Sequence, residues 1–157
     1  MGSNFRYPSQ SRPGGGGQTS TARTPKIVQY YKDGVLKEEL VDQEAEAVAK
    51  ELALARLANT QLRRYYEDVL ALRRRLEHES ANNGNGDREK VFARLRPEFK
   101  LMRAKAFYAN KRSAQTFPDR LREFFEDHTA SVKTVKDFEA FCKHFEAVVA
   151  FHRFHGN

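Results

Sequence analysis

Residues 134–155 read TVKDFEAFCKHFEAVVAFHRFH, and their spacing decides the fold. Val135, Phe138, Phe141, Cys142, Phe145, Val148 and Val149 recur every three or four positions, which lines them along one side of an α-helix. Thr134 stands before the first apolar residue as an N-cap, so the spacing predicts a long final helix from Thr134 to about His155. Eleven of the twelve phenylalanines lie beyond residue 90, so the C-terminal helices are expected to supply most of the core.

Working back, Thr116-Phe117-Pro118-Asp119 opens a short helix that turns Leu121, Phe124 and Phe125 inward. A helix over about Pro97–Arg112 precedes it. Proline is tolerated at a first helical position and disfavoured inside, so Pro97 is read as a restart after a separate short helix, Asp87–Leu95. ESANNGNGD, residues 79–87, reads as an exposed loop, because Asn and Gly favour turns. Before it, Leu62, Tyr65, Tyr66, Val69, Leu72 and Leu76 form an apolar stripe four turns long, with Asn59 or Thr60 as cap. A first helix is expected over about Val41–Leu54, capped by Asp42, with Ala45, Val48, Ala49 and Leu52 inward and an acidic opposite face. KIVQYYKDGVL, residues 26–36, is a β-like stretch with a turn signal at Asp33-Gly34, expected to lie on that first helix. Residues 1–25, rich in Gly, Ser, Pro and Thr, bury too little apolar surface to offset ordering and read as a disordered tail. The fold class is therefore all-α, a compact helical bundle of about five helices over residues 26–157 behind that tail.

The chain has 157 residues, room for one domain of ordinary size, with 39% hydrophobic and 31% charged residues, a mix suited to amphipathic helices. Its single cysteine, Cys142, leaves no intrachain disulfide and no multi-cysteine zinc site, which suits a reducing compartment. No run of eighteen apolar residues and no apolar leader segment is present, so a cytoplasmic protein without a membrane association is expected.

The formal charge is +7, which favours a polyanionic partner. It is unevenly spread. Residues 1–32 carry five basic and no acidic side chains, residues 33–59 three and seven, residues 60–112 fourteen and seven, and residues 113–157 six and seven. Between Arg88 and Arg112 there are nine basic residues against two acidic. Arg96, Lys100 and Arg103 fall at i, i+4 and i+7, and Lys111 follows Lys100 by eleven, so they project from one side of the helix. Lys105 and Arg112 widen the strip, while Leu101, Met102, Ala104 and Tyr108 are expected to turn toward the core. On the preceding helix, Arg63 with Arg74 and Arg64 with Arg75 make a second row. Such rows neutralise phosphates without reading bases. The competing explanation is a solvated, salt-laced helix surface in which Glu67 satisfies Arg63 or Arg64.

Other chemistry has weaker support. Cys142 sits on the apolar stripe, where a core cysteine is expected rather than a nucleophile. His152 and His155, with His144 nearby, lack a neighbouring carboxylate to complete a metal site, and no glycine-rich phosphate loop follows a strand. No cofactor is implied.

Four blocks in order carry a resemblance: KIVQYYKDGVLKEELVDQEAEAVAKELA, NTQLRRYYEDVLALR, LRPEFKLMRAKAFYANKR and FEAFCKHFEAVVAFHRFHG. Together, over about residues 26–155, they resemble the small subunit of type III-A CRISPR-Cas effector complexes, the second Csm protein. The resemblance implies a helical bundle without catalytic activity, stacked in two or more copies beside the backbone subunits, with the large subunit also a partner. It implies basic side chains lining the groove that holds crRNA paired with target RNA. The matching positions are Arg63, Arg64, Lys100, Lys105 and Arg112, whereas Arg96, Arg103 and Lys111 come from helix geometry. Two other functions compete. One is a helical protein–protein adaptor without nucleic-acid contact, whose association would be insensitive to salt. The other is a nuclease dependent on His152.

Overall fold

The computed structural model describes residues 22–82 and 87–156. Of the expected disordered tail, residues 1–25, the part over residues 1–21 lies outside the described residues, whereas residues 22–25 are described and Arg23 among them is bonded to Asp127, which corrects the expected boundary.

The described path begins with a strap, residues 22–30, that runs into a two-stranded hairpin, β1 (Tyr31–Lys32) and β2 (Val35–Leu36). Asp33 and Gly34 both take positive φ, 51° and 76°, the left-handed pair that a tight antiparallel turn requires and that Asp-Gly supplies readily. A 3-10 turn, Glu38–Val41, leads into five helices: α1 (Gln43–Leu54), α2 (Asn59–Asn82), α3 (Arg88–Arg112), α4 (Asp119–Ser131) and α5 (Val135–His155).

The phenylalanines close the core between α3, α4 and α5. Phe99, Phe117, Phe124, Phe125, Phe138, Phe141 and Phe145 are all fully buried. Most of their rings meet edge-on or tilted, as between Phe124 and Phe125 at 5.5 Å and Phe99 and Phe138 at 5.6 Å, while Phe117 and Phe125 stack at 6.4 Å, within the arrangements that aromatic quadrupoles prefer. Leu62, Val69, Leu72 and Leu76 of α2 are buried, and Tyr65 and Tyr66 set their rings against Phe117 and Phe145. Thr134 caps α5 by accepting from the Asp137 amide at 3.1 Å, and Asp137 accepts in return from the Thr134 amide at 3.2 Å, so two otherwise orphaned N–H groups are satisfied.

The expected break at Pro97 is absent: α3 is one helix of 25 residues with Pro97 inside it. Pro97 lacks the N–H that would pair with the Ala93 carbonyl, a loss of about 3 kcal/mol in a free helix. Val91, Phe92 and Leu95 before it and Phe99, Met102 and Ala106 after it are buried as one continuous face, and that shared burial keeps the helix intact through the proline. Of the expected loop at residues 79–87, residues 79–82 belong to α2, which continues to Asn82, and residues 83–86 lie outside the described residues. Asn59 is the first residue of α2 rather than its cap: the Ala58 carbonyl accepts from the Leu62 amide at 3.2 Å, and Asn59 Oδ1 is buried with no hydrogen-bond partner among the described residues. Asp42 precedes α1 without a side-chain cap bond.

The hydrogen bonds that tie the strap and Tyr31 to the helices go to α4 and the start of α5, and none among the described residues goes to α1. Arg23 pairs with both carboxylate oxygens of Asp127, at 2.8 and 3.1 Å, and the Lys26 amide donates to Asp127 at 2.8 Å. The Val28 amide donates to Ser131 Oγ, Tyr30 Oη pairs with His128 Nδ1 at 2.6 Å, and Tyr31 Oη donates to the Lys136 carbonyl. Covered by the strap on one side and the core on the other, α4 buries Glu126, Asp127, His128, Thr129 and Ser131 in addition to its phenylalanines.

Candidate nucleic-acid interface

Helices α2 and α3 run antiparallel. The end of α2 meets the start of α3 through Arg75–Glu98 and Arg88–Glu77, each at 2.5 Å, and Arg94–Glu79 at 3.8 Å. The start of α2 meets the end of α3 around a groove. The two halves of this hairpin differ in charge. In the first half every one of those arginines faces a carboxylate, and Arg75 and Arg88 each reach a second one, Glu79 and Glu139. In the second half, Arg96, Lys100, Arg103, Lys105, Lys111 and Arg112 form no ion pair among the described residues. All but the half-buried Arg96 are exposed.

These six do not make a single strip. At about 100° per residue, Lys105 and Arg112 stand more than about 100° around α3 from Lys100. One margin faces α4 and carries Arg96, Lys100 and Arg103. Lys100 Nζ donates to the Thr129 carbonyl near the end of α4. Its pKa is pushed down, first by partial burial and then by the like charges of Arg96, Lys133 and Arg103. Four cations therefore converge here. Arg103 also lies over the Phe107 ring at 4.7 Å, with Arg122 of α4 over the same ring at 5.5 Å, a stack that fixes both guanidinium planes. By the same helix geometry Lys111 falls on this side, toward the end of α3.

The other margin faces α2. Lys105 and Arg112 line the groove of about 520 Å³ together with Arg64, Gln61, Tyr65 and Tyr108, and Asp68 is its one carboxylate. Arg63 is separated from this group: it points to the α5 side of α2, in a cleft with Glu146, His152 and Arg153, and pairs with Glu67 at 3.8 Å. For Arg63 the salt-laced reading is the one the geometry matches. The second expected row on α2 is divided in the same way, since Arg75 is paired while Arg74 is exposed and unpaired among the described residues.

Leu101, Ala104 and Tyr108 do not turn toward the core. Leu101 is 55% and Tyr108 69% exposed, and of the four expected inward residues only Met102 is buried. The buried register is Phe99, Met102, Ala106 and Asn110. Asn110 is held inward because its Nδ2 donates to the Phe117 carbonyl and to Asp119, each at 2.8 Å. Sequence reasoning missed Lys133 and Arg122, which reach the cationic margin from other elements and leave no periodic signal on α3. Tyr108 was legible once Phe99 is taken as the inward phase, because it lies nine residues on, on the opposite arc.

Two of the histidines are neighbours: the His128 and His144 rings lie 5.1 Å apart. His128 and His144 are buried beside Phe124 and Phe141, and His144 Nδ1 donates to the Leu40 carbonyl at 2.5 Å. His152 is 1% exposed, and His155 pairs with Glu46 at 2.9 Å. Burial pushes His128, His144 and His152 below their ordinary pKa. No group of three His, Cys, Asp or Glu that could hold a metal occurs among the described residues. Cys142 is 1% exposed, and burial pushes its thiol up to about 12, which suits a packing role. No helix among the described residues is long and apolar enough to cross a membrane.

In comparison with known proteins, the family model described as Csm2 Type III-A matches residues 36–157. No curated protein and no solved structure matches the chain.

Proposed function

The chain belongs to the Csm2 Type III-A family and is thereby a subunit of a type III-A CRISPR effector complex, and from that premise we propose that it binds RNA without catalysing a reaction. In this reading several copies stack along the crRNA–target RNA duplex, and α3 grips its backbone. The other Csm subunits are its partners by family membership, and the work is antiviral defence in the cytoplasm. RNA cleavage is left to those other subunits.

One observation carries the reading. Arg75, Arg88 and Arg94, where the end of α2 meets the start of α3, pair with carboxylates of the chain, whereas none of the six basic side chains from Arg96 to Arg112 forms an ion pair among the described residues. Converging like charges raise the free energy of the unliganded surface, and binding lowers it, because these side chains neutralise phosphates and release the counterions condensed along the RNA. The two uncompensated margins together extend about 24 Å along α3 at 1.5 Å per residue, enough for several phosphates. Lysines and arginines so placed hold backbone and are indifferent to sequence.

A second reading, the helical adaptor, is favoured by Leu54 and Phe154, which are 85% and 82% exposed. Fluorescence anisotropy on the full chain separates the two. The RNA reading expects Lys100→Ala with Arg103→Ala to weaken unrelated RNA sequences equally, while Arg75→Ala with Arg88→Ala, which removes paired arginines, leaves affinity unchanged. The adaptor reading expects no RNA binding and a salt-insensitive association with protein.

A further inference from the structure

Between its two cationic margins, α3 turns outward a face that is not polar: Leu101, Ala104 and Tyr108 follow one another at i, i+3 and i+7. An isolated exposed apolar side chain needs no explanation. Tyr108 differs in its surroundings. It lines the α2–α3 groove with Arg64, Lys105 and Arg112, three cations without an ion pair among the described residues. Resting on the RNA-binding reading above, we propose that Tyr108 is a stacking platform for one unpaired base, whose flanking phosphates are held by Lys105, Arg112 and Arg64.

The argument is one of matching surfaces. A paired base inside a duplex is already covered on both faces, so an aromatic ring reaches a base face only where the base has left the stack. A cationic groove with an aromatic side chain in it is the combination that binds unstacked nucleotides, because every base has a π-face and every nucleotide a phosphate. Asp68 stands in the same groove. Its negative charge turns phosphates toward the Lys105–Arg112 side and offers an acceptor to N–H groups on the base edge. Gln61, Ser113 and Thr116 also line the groove, and their amide and hydroxyl groups suit a base edge or a ribose 2′-hydroxyl. On the α4 side the aromatic ring is Phe107, which is half-buried and already covered by the Arg103 and Arg122 guanidinium groups, so that margin holds backbone alone.

The test uses the full chain and two RNA duplexes, one fully paired and one with a single unpaired 2-aminopurine, whose fluorescence falls when it stacks. Wild type is expected to quench the probe and to prefer the duplex with the unpaired base. Tyr108→Phe keeps both properties. Tyr108→Leu abolishes the quench and lowers affinity for that duplex by about tenfold, in the range of one lost base–aromatic stack, with affinity for the paired duplex unchanged. A quench that persists in Tyr108→Leu, or equal wild-type affinity for both duplexes, overturns the stacking site. So does a Tyr108→Leu effect confined to self-association. In each of those cases loss of binding in Lys105→Ala with Arg112→Ala keeps the RNA reading intact, whereas failure of wild type to bind either duplex removes both.

Discussion

Replacing Arg23 with alanine tests whether the strap is a structural part of the bundle. Its guanidinium forks onto Asp127 at 2.8 and 3.1 Å and lies 3.5 Å from Glu126 and 4.0 Å from Glu123. Asp127 is 8% and Glu126 3% exposed. In Arg23→Ala, Asp127 keeps only the Lys26 amide as a hydrogen-bond donor, and Glu126 loses its one ion pair among the described residues. Breaking a fully buried pair costs about 3–5 kcal/mol. The Arg23 side chain is 33% exposed, so water screens part of this, and a loss of about 1–2 kcal/mol remains. For a chain of this length that lowers Tm by about 3–8 °C. Thermal melting followed by circular dichroism reads it directly, and Arg23→Lys, which keeps the charge but not the fork, should fall between wild type and Arg23→Ala. A Tm for Arg23→Ala within about 1 °C of wild type would refute the reasoning.

Acidification should destabilise the fold through its histidines. Burial holds His128, His144 and His152 below 6.5, the value they regain on unfolding. The unfolded chain therefore binds more protons, and stability is complete above about pH 6.5 and falls below it by up to about 1.4 kcal/mol per pH unit for each histidine. A urea midpoint unchanged between pH 7 and pH 5 would contradict this. Thr134→Ala, which removes half of the α5 capping box, should cost about 1 kcal/mol in the same urea assay. Pro97→Ala restores an N–H inside α3 and should raise the urea midpoint by the equivalent of about 1–3 kcal/mol; a lower midpoint would mean that the helix has adapted around the ring.

Much of the bundle was legible because its signals are local. Thr134 before an apolar stripe gave α5 to the residue, and Leu62 through Leu76 gave α2, since a repeat of three and four needs no knowledge of partners. Pro97 misled because its penalty is local while the burial that outweighs it, from Val91 to Ala106, comes from other elements. The strap misled for a related reason: nothing near Arg23 announces Asp127, 104 residues away. On the candidate interface the helical spacing of the cations was legible but their grouping was not. Helical spacing joined Arg96, Lys100 and Arg103, yet a wrong inward phase placed Tyr108 in the core and hid the split of Lys105 and Arg112 toward Arg64. Which arginines are free also depends on carboxylates of neighbouring elements, as Arg88 shows by reaching Glu77 and Glu139.

The central claim, that the unpaired cations of α3 grip RNA phosphates, is tested most directly by how RNA affinity depends on salt. The full chain is measured beside a variant with Arg96, Lys100, Arg103, Lys105, Lys111 and Arg112 changed to glutamine. With all six on phosphates, the plot of log affinity against log salt should have a slope near about −4 to −5, from about 0.7–0.9 counterions per contact. In the variant it should flatten toward zero as binding weakens. A slope that is the same in both proteins would contradict the account.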